Sequence, residues 1–527
     1  MGRIYSSALV VYSWVGPNDY TLAFKTLATL ARLVRERAGE RLCSERVMFQ
    51  LDWLRQHPDL CGSKFEAGGN PWRSVCSLAA EKYWKRVWVL QEVVLARRLR
   101  LLSSGDTILG WEDVELVSGC MVRLVIKVWT KKQRKPSFIS QQAWILMRGL
   151  SVWSVFGLVN GGREQVRMRP TEQPGYADWV LTFFASQLEA TDPRDYIYGL
   201  LGITRIPILP DYGTGKPLSE LYVEYVTGWL NATCGNKASP MKPLSFLPVA
   251  GVGLFGSSDI LPSWVPKFPE NARLSGPMPF MSGSYNDDNE VPGNPMKDPY
   301  VAKDTQSLFV WGNNMGPIDI ILEELDRSRL QVFYSFLKTF LARHTNYVSG
   351  APPLQAVCQL LLGETESKAI SRMTVALALR IASFALDFDT LDPETTQEFP
   401  WYHEWETRFF ERAFPGIDRQ ELGFTRIPVE KVLSLSKAER DEMLSELNDA
   451  VSTANFFESK SGCLGRAPLG AKRGDFLCLL EGSDRPVLLR KTEGDHYIFV
   501  GIVTVLDLDV QRLLHDLGPE AQWFELR

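Results

Sequence analysis

The sequence predicts an α/β region at the N-terminus, a mainly helical region after it, and a small antiparallel β domain at the C-terminus. Three observations carry this expectation. A run of β-branched and aromatic residues, Ala8 to Val15, is followed at once by a segment of helical spacing, Tyr20 to Arg37, which is how an α/β layer opens. Residues 330–457 keep helical spacing over most of their length. Between Gly462 and Gly501, short apolar runs recur evenly with turn residues between them, the pattern of a small barrel or sheet.

Taken in order, Ala8-Leu9-Val10-Val11-Tyr12-Ser13-Trp14-Val15 closes on Gly16-Pro17-Asn18-Asp19, a buried strand ending in a turn. Leu22, Leu27, Leu30, Leu33 and Val34 then mark one face of a helix. Ser74 to Arg97 reads as a helix or a pair of helices, and Arg98 to Trp111 alternates around Ser104-Gly105-Asp106 as a hairpin. Trp111-Glu112-Asp113 opens a further helix, residues 131–175 read as an insertion, and residues 176–201 return to helical spacing. There Asp192 is placed to cap and Pro193 to occupy the first helical position. Leu221, Tyr222, Tyr225, Val226 and Trp229 define another helix, and the Pro/Gly/Asn-rich residues 257–299 read as a linker. The helical spacing of 330–457 is interrupted at 387–400. The resulting division is an α/β domain over 1–205, an extension and linker over 206–300, a mainly helical region over 301–455, and a β domain with a terminal helix over 456–527.

Composition narrows the function classes. With 527 residues, 45% of them hydrophobic, the chain can bury more than one core. A net charge of -4 and a pI near 5.9 offer no basic footprint, so nucleic acid is not an expected partner. The eight cysteines (43, 61, 76, 120, 234, 358, 463 and 478) lack the short paired spacing of zinc sites, which predicts reduced thiols in the cytoplasm and no metal. The best apolar run, residues 149–159, is too short to span a bilayer, and the N-terminus carries no secretory pattern. The five histidines stand apart from one another and from any nucleophile motif, against a zinc, serine or cysteine hydrolase. Residues 465–473 resemble a phosphate loop but lack the Lys-Ser/Thr pair, and read as a plain loop.

Two stretches stand out against this background. The first is Tyr83-Trp84-Lys85-Arg86-Val87-Trp88-Val89-Leu90-Gln91-Glu92-Val93. The second is Thr191-Asp192-Pro193-Arg194-Asp195-Tyr196-Ile197-Tyr198-Gly199-Leu200-Leu201-Gly202, followed by Pro210-Asp211-Tyr212. Together they resemble the fungal heterokaryon-incompatibility (HET) domain, whose pattern joins an aromatic-x-Arg-x-Trp-x-x-Gln-Glu helix, an Asp-Pro-Arg-Asp-x-x-Tyr-x-Leu-Leu-Gly helix and a Pro-Asp-Tyr step. Pro262-Ser263-Trp264, and the order Gly474-Asp475 then Pro486-Val487-Leu488-Leu489-Arg490, are similar to the later parts of many such proteins. The resemblance implies a cytoplasmic fungal factor of nonself recognition and programmed cell death. Such a factor works through association with other proteins, among them an incompatible allelic or non-allelic product, and needs no cofactor. It also implies that Met1 to Ala8 corresponds to the interior of the family's domain. The fold expected is therefore a partial, TIR-like α/β sheet, N-terminally truncated, with an open edge at Ala8 to Val15.

Glu92 is the acidic residue of greatest interest, because an ionised carboxylate in so apolar a helix needs a partner. Arg86 or Arg194 could supply it. On one reading Gln91 and Glu92 hold the two motif helices together. On the other, which the resemblance suggests through TIR domains, Glu92 is the catalytic carboxylate of an NAD glycohydrolase and NAD is its substrate. Arg194 is expected to pair bidentately with a carboxylate such as Glu92, because a cation is unfavourable at a helix N-terminus that Asp192 and Asp195 suit. Asp211-Tyr212 is expected to form a turn with Tyr212 packing back on the core, and Trp88 to pack. A third reading makes the chain an accessory protein of a secondary-metabolite gene cluster.

Overall fold

The computed structural model describes residues 2–38, 51–62, 70–131, 136–149, 155–168, 188–234 except 205 and 214, 242–256, 261–267, 297–321, parts of 332–362, and most of 448–527. The interruption at 387–400, residues 176–187 and most of the 257–299 tract lie outside the described residues. The chain divides into two compact units, Met1–Met241 with Phe268–Asn271, and Lys242–Lys267 with Ala272–Arg527.

The first unit is α/β. After α1 (Gly2–Ser7), strand β1 (Val11–Trp14) lies parallel to β2 (Leu99–Leu102), with Val11 opposite Leu99 and Trp14 opposite Leu102. A parallel pair requires a crossover. Helices α2 (Thr21–Ala38), α3 (Pro58–Cys61), α4 (Pro71–Ala79) and α5 (Val87–Leu95) make it. The expected hairpin is present: β3 (Leu109–Gly110) pairs antiparallel with β2. In α4 the helix start is local chemistry, since Asn70 accepts the Arg73 N–H at 3.1 Å and Pro71 occupies the first turn. β1 ends the strand order, with Tyr12 and Trp14 exposed.

Helices α6 (Trp111–Lys131), α7 (Gln141–Gly149) and α8 (Val155–Met168) complete the unit. The stretch read as an insertion thus supplies core helices. Phe156 of α8 meets Trp84 and Trp111 edge-on, each at 5.9 Å between ring centroids, and all three are buried. Ile139, Trp144 and Val159 join the same core, each buried side chain of this size contributing about 1.5–3 kcal/mol. Arg163 of α8 donates to the carbonyl of Val93 on α5, fastening the two helices. The unit closes with α9 (Asp195–Tyr198), α10 (Leu201–Thr204) and α11 (Leu218–Thr233).

The second unit is strand-rich. Past α12 (Val252–Phe255) come β4 (Tyr300–Val301), β5 (Leu308–Ile321), α13 (Pro353–Leu362), β6 (Asn455–Ser459), β7 (Leu464–Ala467), β8 (Phe476–Leu480), β9 (Val487–Lys491), β10 (Tyr497–Ile502), β11 (Thr504–Val505) and β12 (Gln522–Leu526). Strand β5 pairs with both β12 and β8, and β12–β10–β9–β8 closes the path, so five strands form a ring. The ring departs from the sequence expectation in two ways. It draws β5 from the region read as mainly helical, and its β10–β12 pairing is parallel, so the sheet is not purely antiparallel. Strand β5 was illegible because Gly312-Asn313-Asn314 and Gly316-Pro317 are turn formers. Here Gly316, at φ +101°, and Pro317 bend the strand so that its far end leaves the ring and pairs with β6, then β7 and β11. Residues 262–264 are tied to β10 and to the residue after β12: the Ser263 hydroxyl accepts the Phe499 N–H at 2.8 Å, its backbone N–H donates to the Arg527 carbonyl at 3.0 Å, and Trp264 is fully buried.

Candidate functional site

The two motifs meet on α5. Gln91 is buried, and its side-chain amide donates to the Gly199 carbonyl at 2.9 Å and accepts the Gly2 N–H at 3.0 Å, tying α5 to the end of α9 and the start of α1. The motif glycines make that approach possible. A Cβ on Gly199 would lie 2.7 Å from Val87 Cγ1, and one on Gly202 would lie 2.8 Å from the Gln91 amide. Upstream, the Val87 N–H donates to the Glu189 carbonyl at 3.1 Å, and Arg86 and Glu189 form a short parallel bridge. Trp88 is half-buried beside Gly199.

Glu92 points elsewhere. It is half-buried, and among the described residues no arginine or lysine forms an ion pair with it. Its companions are phenols. Tyr83 places its hydroxyl 3.5 Å from Glu92 Oε2, and Tyr5 on α1 lies close enough to feel the charge of the same carboxylate. Burial, reinforced by the Glu92 charge, pushes both phenols above their ordinary range, so each stays a donor at neutral pH. Ser13 of β1 lies beside Tyr83, its hydroxyl buried. Glu92 stands one turn from the end of α5, on the side where β2 begins, whereas ligands of open α/β sheets bind beyond the carboxyl ends of the strands.

The second motif forms a network of its own. Asp192 Oδ1 accepts the Arg194 N–H at 2.9 Å in a side-chain turn, and α9 starts only at Asp195, so Pro193 precedes the helix instead of opening it. The Arg194 guanidinium pairs with Asp192 at 2.7 Å, not with Glu92, because a carboxylate two residues away in the same turn is already in reach. That hydrogen bonding holds the Asp192 carboxyl below the usual range. Arg194 also donates to the Gly213 carbonyl at 3.1 Å and stacks over Tyr212, whose hydroxyl donates to Asp195 at 2.6 Å. Asp211 accepts the Gly213 N–H at 2.7 Å, and its carbonyl accepts the Tyr198 hydroxyl at 2.9 Å. The Pro-Asp-Tyr step therefore clasps the second motif, with Tyr212 packed on Tyr198 and Arg194 and left about half exposed.

The structure thus joins Gln91 to Gly199, gathers Asp192, Arg194, Asp195, Asp211 and Tyr212 into one clasp, and leaves Glu92 with Tyr5 and Tyr83. Those two tyrosines and Ser13 were not singled out from sequence. Tyr5 and Ser13 carry only aromatic or hydroxyl character in segments far from Glu92 in the chain, whereas Tyr83 opens the first motif, nine residues before it. No described helix is long and apolar enough to cross a membrane.

Comparison with known proteins gives one match. Residues 1–92 fit the family model described as Heterokaryon incompatibility protein (HET), a stretch that runs from α1 to Glu92 and stops short of the second motif. No curated protein and no solved structure matches the chain. The segment that carries β1, the crossover helices and the Arg86–Glu92 motif is therefore the part of the chain similar to the heterokaryon-incompatibility (HET) family.

Proposed function

We propose that this chain is a cytoplasmic fungal nonself-recognition factor that triggers programmed cell death by associating with other proteins, an incompatible allelic or non-allelic product among them. The family match supplies the class. The observation that favours association over chemistry is where the motif side chains go. Gln91, Asp192, Arg194, Asp195, Asp211 and Tyr212 are all spent on holding α5, α9 and the following turn together. Such a rigid, self-satisfied assembly suits a surface presented to a partner.

One observation favours a second reading. Glu92 keeps a half-buried carboxylate beside two phenols and, among the described residues, has no ion-pair partner, which suits a group that contacts a ribose hydroxyl or an oxocarbenium-like centre while the nicotinamide–ribose bond of NAD breaks. The readings separate in one experiment. The chain and its Glu92→Ala variant are expressed in a fungal host, and viability and intracellular NAD are scored together. Death with NAD unchanged in both is the expected result. NAD loss that disappears in the variant would replace association by NAD cleavage, and healthy cells with soluble protein would overturn the killing role.

A further inference from the structure

The outer face of the barrel carries a row of aromatic rings that sheet packing does not account for. Register pairs Tyr300 of β4 with Phe309 of β5, and Trp311 of β5 with Trp523 of β12. Tyr300 stacks on Phe309 with ring centroids 5.0 Å apart and 6° between planes. Trp523 sets its edge against Tyr300 at 5.6 Å and Trp311 at 5.5 Å. Strand alternation explains why the rings share a face, for Leu308 and Val310 on either side of Phe309 are fully buried on the other. Cross-strand pairing explains the contacts between rings. It does not explain why Tyr300 remains 51% and Trp523 40% exposed side by side in one contiguous row of rings.

A cation already sits on this row. The Lys297 ammonium lies 3.1 Å from the centroid of the Trp311 ring, although the side chain is exposed and water is open to it. An ammonium takes such a position when the negative face of the ring attracts it. Acidic groups flank the place. Glu481 accepts the Lys297 backbone N–H at 2.8 Å, burial raises its carboxyl, and Asp298 adds negative charge beside it. Glu525, opposite Phe309, is engaged by Arg527 at 2.6 Å and Ser307 at 2.9 Å.

We propose that the row Tyr300–Phe309–Trp311–Trp523 is a recognition site for the ammonium group of a lysine in a basic segment of a partner protein, with Lys297 as the resident cation that the incoming group displaces. The aromatic faces supply the attraction and the Glu481–Asp298 side its sign. This site is independent of the α5 motif and of any reading of Glu92.

The probe is tetramethylammonium, followed by ligand-observed NMR on the full chain, with neopentyl alcohol as its neutral counterpart of similar shape. The site predicts millimolar binding of tetramethylammonium and not of the alcohol. Lys297→Ala should tighten that binding about two- to fivefold, the worth of an exposed cation–π contact. Trp311→Leu should abolish it with the β circular dichroism unchanged. Should Trp311→Leu disturb the sheet, Trp523→Leu takes its place, since that residue is 40% exposed at the edge of the row. Equal binding of the neutral alcohol would reduce the row to a plain apolar patch, and a Lys297→Ala protein that binds no better than the parent would remove Lys297 as resident cation. Either result overturns the proposal.

Discussion

The Gln91 amide donates to the Gly199 carbonyl at 2.9 Å while accepting the Gly2 N–H at 3.0 Å, so one side chain of the first motif closes backbone valences at both the second motif and the first helix. Gln91→Leu keeps the volume and loses both bonds. Each buried backbone group left unpaired costs about 1–3 kcal/mol. The expected outcome is a lowered urea midpoint for the N-terminal unit, read by the fluorescence of its buried tryptophans. An unchanged midpoint would show that the amide is not a fastening.

Glycine substitutions should divide by location. Gly199→Ala forces a Cβ to 2.7 Å from Val87 Cγ1 and the Asp195 carbonyl, overpacking that costs about 1–3 kcal/mol. Gly119 in α6 has open space where a Cβ would go, so Gly119→Ala should stabilise by about 0.5–1 kcal/mol through helix propensity. Thermal unfolding of the two variants should move in opposite directions.

Acid should loosen the clasp through Asp192. Hydrogen bonds from Arg194 lower the folded carboxyl pKa below that of the unfolded chain, about 3.9. The contribution is therefore complete above that unfolded value and is lost as pH falls through the lower folded one. Unfolding midpoints collected from pH 7 down to 3 should fall less steeply at the acid end in Asp192→Asn, which starts lower at pH 7. Parallel curves for variant and parent would exclude the link.

In the second unit, buried Asp475 receives Arg490 in a two-pronged pair, Nε to Oδ1 at 2.8 Å and Nη2 to Oδ2 at 2.9 Å. Removing one partner strands the other's charge, so Asp475→Ala and Arg490→Met should each cost about 3–5 kcal/mol. The double variant should cost clearly less than their sum in denaturant unfolding. Simple additivity would mean the two are not coupled.

Local pattern made the N-terminal elements legible. β1, α2, the β2–β3 hairpin and α6 were readable because β-branched runs, helical spacing and turn residues act within a few positions of one another. The Gly474-Asp475 and Pro486-to-Arg490 runs were visible too, though not their pairing. Other features escaped. Bent β5 was hidden by its own glycines, asparagines and proline, and α8 read as part of an insertion because nothing local reveals that Phe156 reaches Trp84 and Trp111.

By itself, then, the sequence determined which segments could be strand or helix, and which motif residues deserved attention, since propensity, spacing and residue chemistry are written locally. Partnership was decided only in three dimensions. Arg194 took the carboxylate nearest in its own turn, Gln91 found two backbone groups nearly two hundred residues apart in the chain, and Glu92 was left beside two tyrosines. A side chain's partner depends on which groups chain folding brings within about 3 Å of it, and on which of these is already satisfied.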